Sequence, residues 1–230
     1  LGGPFYLKVT HKSFMPMQIV SFFCGALGLY GMLYLNPLAY LVLLMLVVFT
    51  VLYGLPIFPA QKNLRAIKGM KIYIVAIVWA LATVVLPLST LGVKIVLQLT
   101  NPSDPFGFVG VLGLFLSHFF LVLALMVPFE LRDYLEDTPQ LATLPQRYGL
   151  QKTKYIGIFW SLLFLGGHLF AGAILKWPIQ IVGVSLIITL LLIIGIFYSG
   201  KHSSSYFTNF WVEGIPILFA FLWWAFESFL

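Results

Sequence analysis

The chain has 230 residues, 61% of them hydrophobic and 9% charged, with a mean hydropathy of +1.02 and a net charge of +6. Such a composition lies far outside the range of soluble domains and excludes a water-facing globular enzyme. One cysteine, Cys24, sits in an apolar run; it supports no disulfide framework and reads as a small buried hydrophobe.

Apolar runs such as Ile179 to Tyr198 approach the ~20 residues that cross a bilayer core, and they lack the alternation of a membrane β-barrel. The sequence therefore predicts an all-α fold: a single transmembrane domain over residues 1–230, a polytopic helix bundle. Seven spans are expected, at roughly 16–35, 38–57, 72–97, 107–129, 156–175, 179–199 and 213–230. In the first, Gly25, Gly28 and Gly31 form a small-residue stripe suited to close helix packing. Leu35-Asn36-Pro37 and Lys176-Trp177-Pro178 are tight connections, with each proline tolerated in the first turn of the next helix. The opening Leu1-Gly2-Gly3-Pro4-Phe5 carries neither an initiator Met nor a signal-peptide pattern, and the native protein is expected to start upstream.

Lysine and arginine set the orientation. Lys8, Lys12, Lys62, Arg65, Lys68, Lys71, Arg132, Arg147, Lys152, Lys154 and Lys201 fall on one side of this topology, and only Lys94 and Lys176 on the other. By the positive-inside rule the polar loops 58–71 and 130–155 are cytoplasmic, in a cell inner membrane, and the C-terminus is outside. The positive balance then needs no nucleic acid to explain it, because anionic membrane lipids suffice.

Four of the seven acidic residues, Glu130, Asp133, Glu136 and Asp137, fall at the end of the fourth span. Continued as a helix, the segment puts Glu130, Asp133 and Asp137 on one face, where like charges repel unless a cation intervenes. Asp133 and Asp137 could hold Mg²⁺ while the ion keeps waters and substrate phosphates. The other reading is a solvated interfacial turn neutralised by Arg132, Arg147 and Lys152. Lys62, Arg65 and Lys68, spaced by three, could receive diphosphate oxygens or contact lipid headgroups. Glu130 and Glu136 read as tuning or solvated charges, and Glu213 as the opening of the last helix. His118 and His168 lie mid-span; each reads as a neutral imidazole making an interhelical hydrogen bond.

The wording of the acidic loop carries more than its spacing. Arg132-Asp133, then Asp137, then Thr143-Leu144-Pro145 and Arg147-x-Gly149 resembles the second aspartate-rich motif of the UbiA prenyltransferase superfamily. Tyr53, the basic loop after it and Trp79-Ala80-Leu81-Ala82-Thr83 are similar to that superfamily's middle region. Phe210-Trp211-Val212-Glu213-Gly214-Ile215-Pro216 resembles its divergent, Bacteroidetes-like members. The resemblance implies a ring of nine transmembrane helices around a cavity, with this chain supplying helices three to nine. It also implies Mg²⁺-dependent transfer of an isoprenoid from its diphosphate to an aromatic or other lipophilic acceptor. Asp133 and Asp137 would bind Mg²⁺, and Lys62, Arg65, Lys68 and Arg132 the diphosphate. Tyr53 would lie near the reacting carbon.

The superfamily's first motif, of Asn-Asp-x-x-Asp type, has no counterpart in this sequence. That departure leaves a second function class open: a catalytically degenerate structural subunit working with other membrane subunits. A transporter is disfavoured, because no paired interrupted helices occur in corresponding halves.

Overall fold

A computed structural model describes residues 11–56, 63–91, 105–137, 141–200, 204 and 206–228, the side chains of 11–17, 66, 105–106 and 226–228 aside. The elements are α1 (His11–Met32), α2 (Pro37–Gly54), a 3₁₀ turn (Leu64–Ala66), α3 (Lys71–Thr90) and α4 (Pro105–Arg132). A second 3₁₀ turn (Asp133–Leu135), α5 (Leu144–Leu175), α6 (Ile179–Tyr198), a π-helical segment (Phe207–Val212) and α7 (Glu213–Ser228) complete them. No strand occurs among the described residues. Helices α2, α3, α4, α5 and α6 are long and apolar enough to cross a membrane. The apolar part of α1, Gln18–Met32, is shorter. So is α7, whose 16 residues reach about 24 Å of a ~30 Å hydrocarbon core.

Boundaries move where local chemistry decides them. The expected loop 130–155 is helical from Leu144 onward. Pro145 occupies the first turn, where its missing N–H costs nothing, and the Gln146 side chain accepts from the Thr143 N–H at 3.0 Å. Arg147, Gln151 and Lys152 then stay on the exposed face. Gly149 bends this helix through φ 78°, ψ 164°, a region open essentially to glycine alone. In α3, a π segment at Leu81–Val85 absorbs the disturbance that Pro87 brings to the helical ladder. Asn36 fixes the α1–α2 corner: Oδ1 accepts from Ala39 N–H at 3.0 Å, and Nδ2 donates to the Ser89 carbonyl at 2.6 Å. Glu213 opens α7 as expected, with the π-helical segment Phe207–Val212 wound directly ahead of it.

The core lies between α4 and α5, an antiparallel pair flanked by α3, α6 and α7. Leu123, Ala124, Val127 and Leu131 of α4 meet Trp160 and Phe164 of α5, with Ile188, Leu192 and Ile196 of α6. Large apolar residues such as Leu186, Leu190 and Phe197 face outward, as a surface in lipid requires. Close approach depends on glycines, but not on those of α1. An added Cβ at Gly113 would meet Phe170, at Gly157 Val127 and Ile196, and at Gly167 Ser117 and the Gly113 carbonyl, all at 3.0–3.3 Å. Gly25, Gly28 and Gly31 have nothing within 4 Å, and every side chain from 18 to 31 is exposed. Spacing alone picks out a stripe; it does not say whether a helix lies opposite.

Gly167→Leu is expected to destabilise the detergent-solubilised protein by about 1–3 kcal/mol through overpacking. Gly28→Leu is expected to leave the unfolding midpoint unchanged, and chemical denaturation of both variants checks the pair.

Candidate functional site

Polar contacts gather several loops at one end of the bundle. The Asn63 amide donates to the Gly54 carbonyl at the end of α2 (3.4 Å), and Gly69 N–H donates to the Leu141 carbonyl (2.9 Å). Lys154 on α5 donates to the Phe197 carbonyl of α6 (2.7 Å). The end of α2, residues 63–71 and the start of α5 thereby lie together, with the end of α6 beside α5. Gly69 has φ 69°, and a Cβ there would lie 2.6 Å from the Arg147 guanidinium. The residue must therefore be small as well as left-handed.

Of the three acids expected on one face, Glu130 and Asp137 share it and Asp133 does not. Glu130 ends α4 buried, 2% exposed, with Lys71 Nζ 3.3 Å from Oε1. The same ammonium stands 3.8 Å from Oδ2 of Asp137. Leu144 N–H, at the start of α5, also lies against the Glu130 carboxylate. Asp133 turns elsewhere, because the chain leaves α-helical geometry after Arg132. Both of its oxygens face the Arg132 guanidinium, at 2.6 and 3.2 Å. That guanidinium also donates to Thr208 Oγ1 (2.5 Å) and Asn209 Oδ1 (2.9 Å), and lies 5.3 Å from the Phe129 ring centroid. Glu136 is exposed.

Neutralisation thus comes from Arg132, as one reading of the sequence allowed, and from Lys71 in place of Arg147 and Lys152. Glu130 is neither solvated nor peripheral; it is the most buried acid described. Beside it lies a cavity of about 40 Å³, room for a water molecule, lined by Lys71, Tyr73, Glu130, Thr143, Arg147 and Tyr148 among others. Among the described residues no three His, Cys, Asp or Glu side chains gather as a metal site. Arg65 and Lys68 are exposed, and Tyr53 is half-buried near the end of α2. Lys62 lies outside the described residues.

His118 and His168 each make one interhelical hydrogen bond. His118 Nδ1 meets Thr83 Oγ1 at 3.0 Å, and His168 Nδ1 meets Ser117 Oγ at 3.4 Å. Phe164, Trp177, Phe219 and Trp223 surround the His168 ring at centroid distances of 5.1–5.7 Å. These rings pack together and present no ligand set for a metal.

Lys71, Thr208 and Asn209 escaped the sequence reading. The available signal was Glu130 itself: an acid following Pro128-Phe129 in an apolar run needs a cation, and Lys71 is the last basic residue of the facing loop. No family model, no curated protein and no solved structure matches this chain.

Gly149→Ala is expected to cost about 1–3 kcal/mol of stability, the strain of a non-glycine residue in that backbone region. Ala in place of the helical, solvent-facing Gln151 is expected to be neutral; denaturant melts of the two variants in detergent make the comparison.

Proposed function

We propose that the chain is an integral-membrane prenyl-transfer protein, moving an isoprenoid from its diphosphate to an aromatic or other lipophilic acceptor. One observation carries the reading: the segment 130–149, which resembles the UbiA-type aspartate motif, meets the end of the basic loop at one pole of an apolar bundle. In this reading that pole is the cytoplasmic side of an inner membrane, where the Lys and Arg excess belongs. The isoprenoid tail occupies the apolar bundle or the lipid beside it.

The resemblance implies Mg²⁺ on Asp133 and Asp137. In the structure these carboxylates face different internal cations and do not converge on one ion. The chain's own residues hold and place charge. Arg65, Lys68 and Lys62 receive the diphosphate, Arg as a bidentate fork and Lys as a point charge. The allylic C–O bond breaks with its electron pair leaving on the diphosphate, whose negative charge these cations stabilise. The acceptor's nucleophilic atom bonds to the prenyl carbon and then loses its proton. Tyr53 offers a π face to the positive charge on that carbon. Asp133 and Asp137 fix the positions of Arg132 and Lys71.

A second reading has its own observation. Arg132 bonded to Asp133, Thr208 and Asn209 ties α4 to the segment before α7, as a structural subunit of a larger membrane assembly would need.

The full-length protein in membranes, given labelled prenyl diphosphates of several lengths with a lipid-extract acceptor pool, tests the choice. Transfer that falls on the order of 100-fold in Asp133→Asn and Asp137→Asn, the scale of losing one charge-stabilising group, supports the enzyme. Undiminished transfer in both variants contradicts these residue roles. Absence of transfer in the wild type, with association into a larger complex on native gels, supports the scaffold.

A further inference from the structure

We infer that the Lys71 ammonium takes the place of a divalent cation between Glu130 and Asp137. Nζ lies 3.3 Å from Glu130 Oε1 and 3.8 Å from Asp137 Oδ2, and beyond this ammonium neither oxygen has a hydrogen-bond partner among the described residues. The two carboxylates arrive from opposite sides of the 3₁₀ turn Asp133–Leu135, one ending α4 and the other following the turn. Two carboxylate oxygens directed at one point are the kind of donor set a hard divalent ion uses, alongside waters. Here a compact ammonium on a flexible stem stands at that point.

The surrounding contacts agree. At 3.3 and 3.8 Å from the two oxygens, the ammonium occupies the space between the carboxylates that an ion would need. Arg132 engages both oxygens of Asp133 and so keeps the third carboxylate from completing a cluster. Glu130 at 2% exposure stays ionised only beside a counter-charge, which Lys71 supplies when no ion is bound. A lysine supplied in cis makes this end of the bundle independent of metal supply. The inference rests on the prenyl-transfer reading only in naming Mg²⁺ as the ion displaced.

Mn²⁺ titrated into the full-length protein in detergent, followed by electron paramagnetic resonance, tests it. The wild type is expected to show no saturable Mn²⁺ binding that depends on Asp137. Lys71→Met is expected to gain one bound Mn²⁺, and adding Asp137→Asn to weaken that binding at least about tenfold, a loss that even outer-shell partners of metal ligands produce. Thermal melts of the same samples give a second readout. Lys71→Met is expected to unfold below the wild type in chelator and to recover with Mn²⁺, because an ion bound only by the folded state stabilises it.

One Mn²⁺ bound stoichiometrically by the wild type and lost in Asp137→Asn overturns the inference, however Lys71→Met folds. A folded Lys71→Met protein that binds no Mn²⁺ overturns it too. Neither readout involves turnover, so failure of prenyl transfer and failure of this inference are distinguishable.

Discussion

A carboxylate 2% exposed at the end of an apolar helix stays ionised only beside a cation, and the polar end of this bundle is arranged around the one that Lys71 supplies to Glu130. The pair joins the first residue of α3 to the last turn of α4, elements 59 positions apart in the chain (130 minus 71). Asp137 adds a second carboxylate to the same ammonium, so the turn after α4 folds back over the pair. Leu144 N–H, at the start of α5, lies against Glu130 as well. Three helix ends therefore meet on one buried charge. Removing either partner would leave an uncompensated ion in a low-dielectric setting, the costly case for buried pairs. The apolar interface of α4 and α5 brings the helices close, but it leaves their ends to these few polar contacts.

This arrangement bears directly on function. A site that awaits an external cation leaves its carboxylates without internal cations; here three of the acids already have them. Glu130 and Asp137 have Lys71, and Asp133 has Arg132. The proposed chemistry is correspondingly one of positioned lysines and arginines acting on a diphosphate. The structural reading draws on the same contacts seen from the other side, because Arg132 also reaches Thr208 and Asn209 ahead of α7.

The helices were legible because lipid demands long apolar runs, and composition reports those directly: Ile179–Tyr198 was bounded to within a residue. Leu144–Lys154 was not, since polar residues there mask a helix that faces outward and starts on Pro145. The α1 glycines show the limit of spacing arguments. They share the pattern of interface glycines, yet the close contacts belong to Gly113, Gly157 and Gly167, whose facing residues lie 30 or more positions away. At the polar end, the importance of segment 130–137 was readable from charge alone. Its internal pairing was so only in part: Glu130 and Asp137, seven positions apart, do meet on one side, while Asp133, in the 3₁₀ turn, leaves that side for Arg132. Nothing local marks Lys71 among the basic residues of its loop as the one that reaches Glu130.

The account turns on whether Lys71 and Glu130 are coupled. A double-mutant cycle with Lys71→Met, Glu130→Gln and the double variant, read by reversible denaturation in detergent, measures that coupling. The account predicts an interaction of at least about 1 kcal/mol, with the double variant more stable than the sum of the single losses implies. Additivity within about 0.3–0.5 kcal/mol, the behaviour of independent sites, would contradict it.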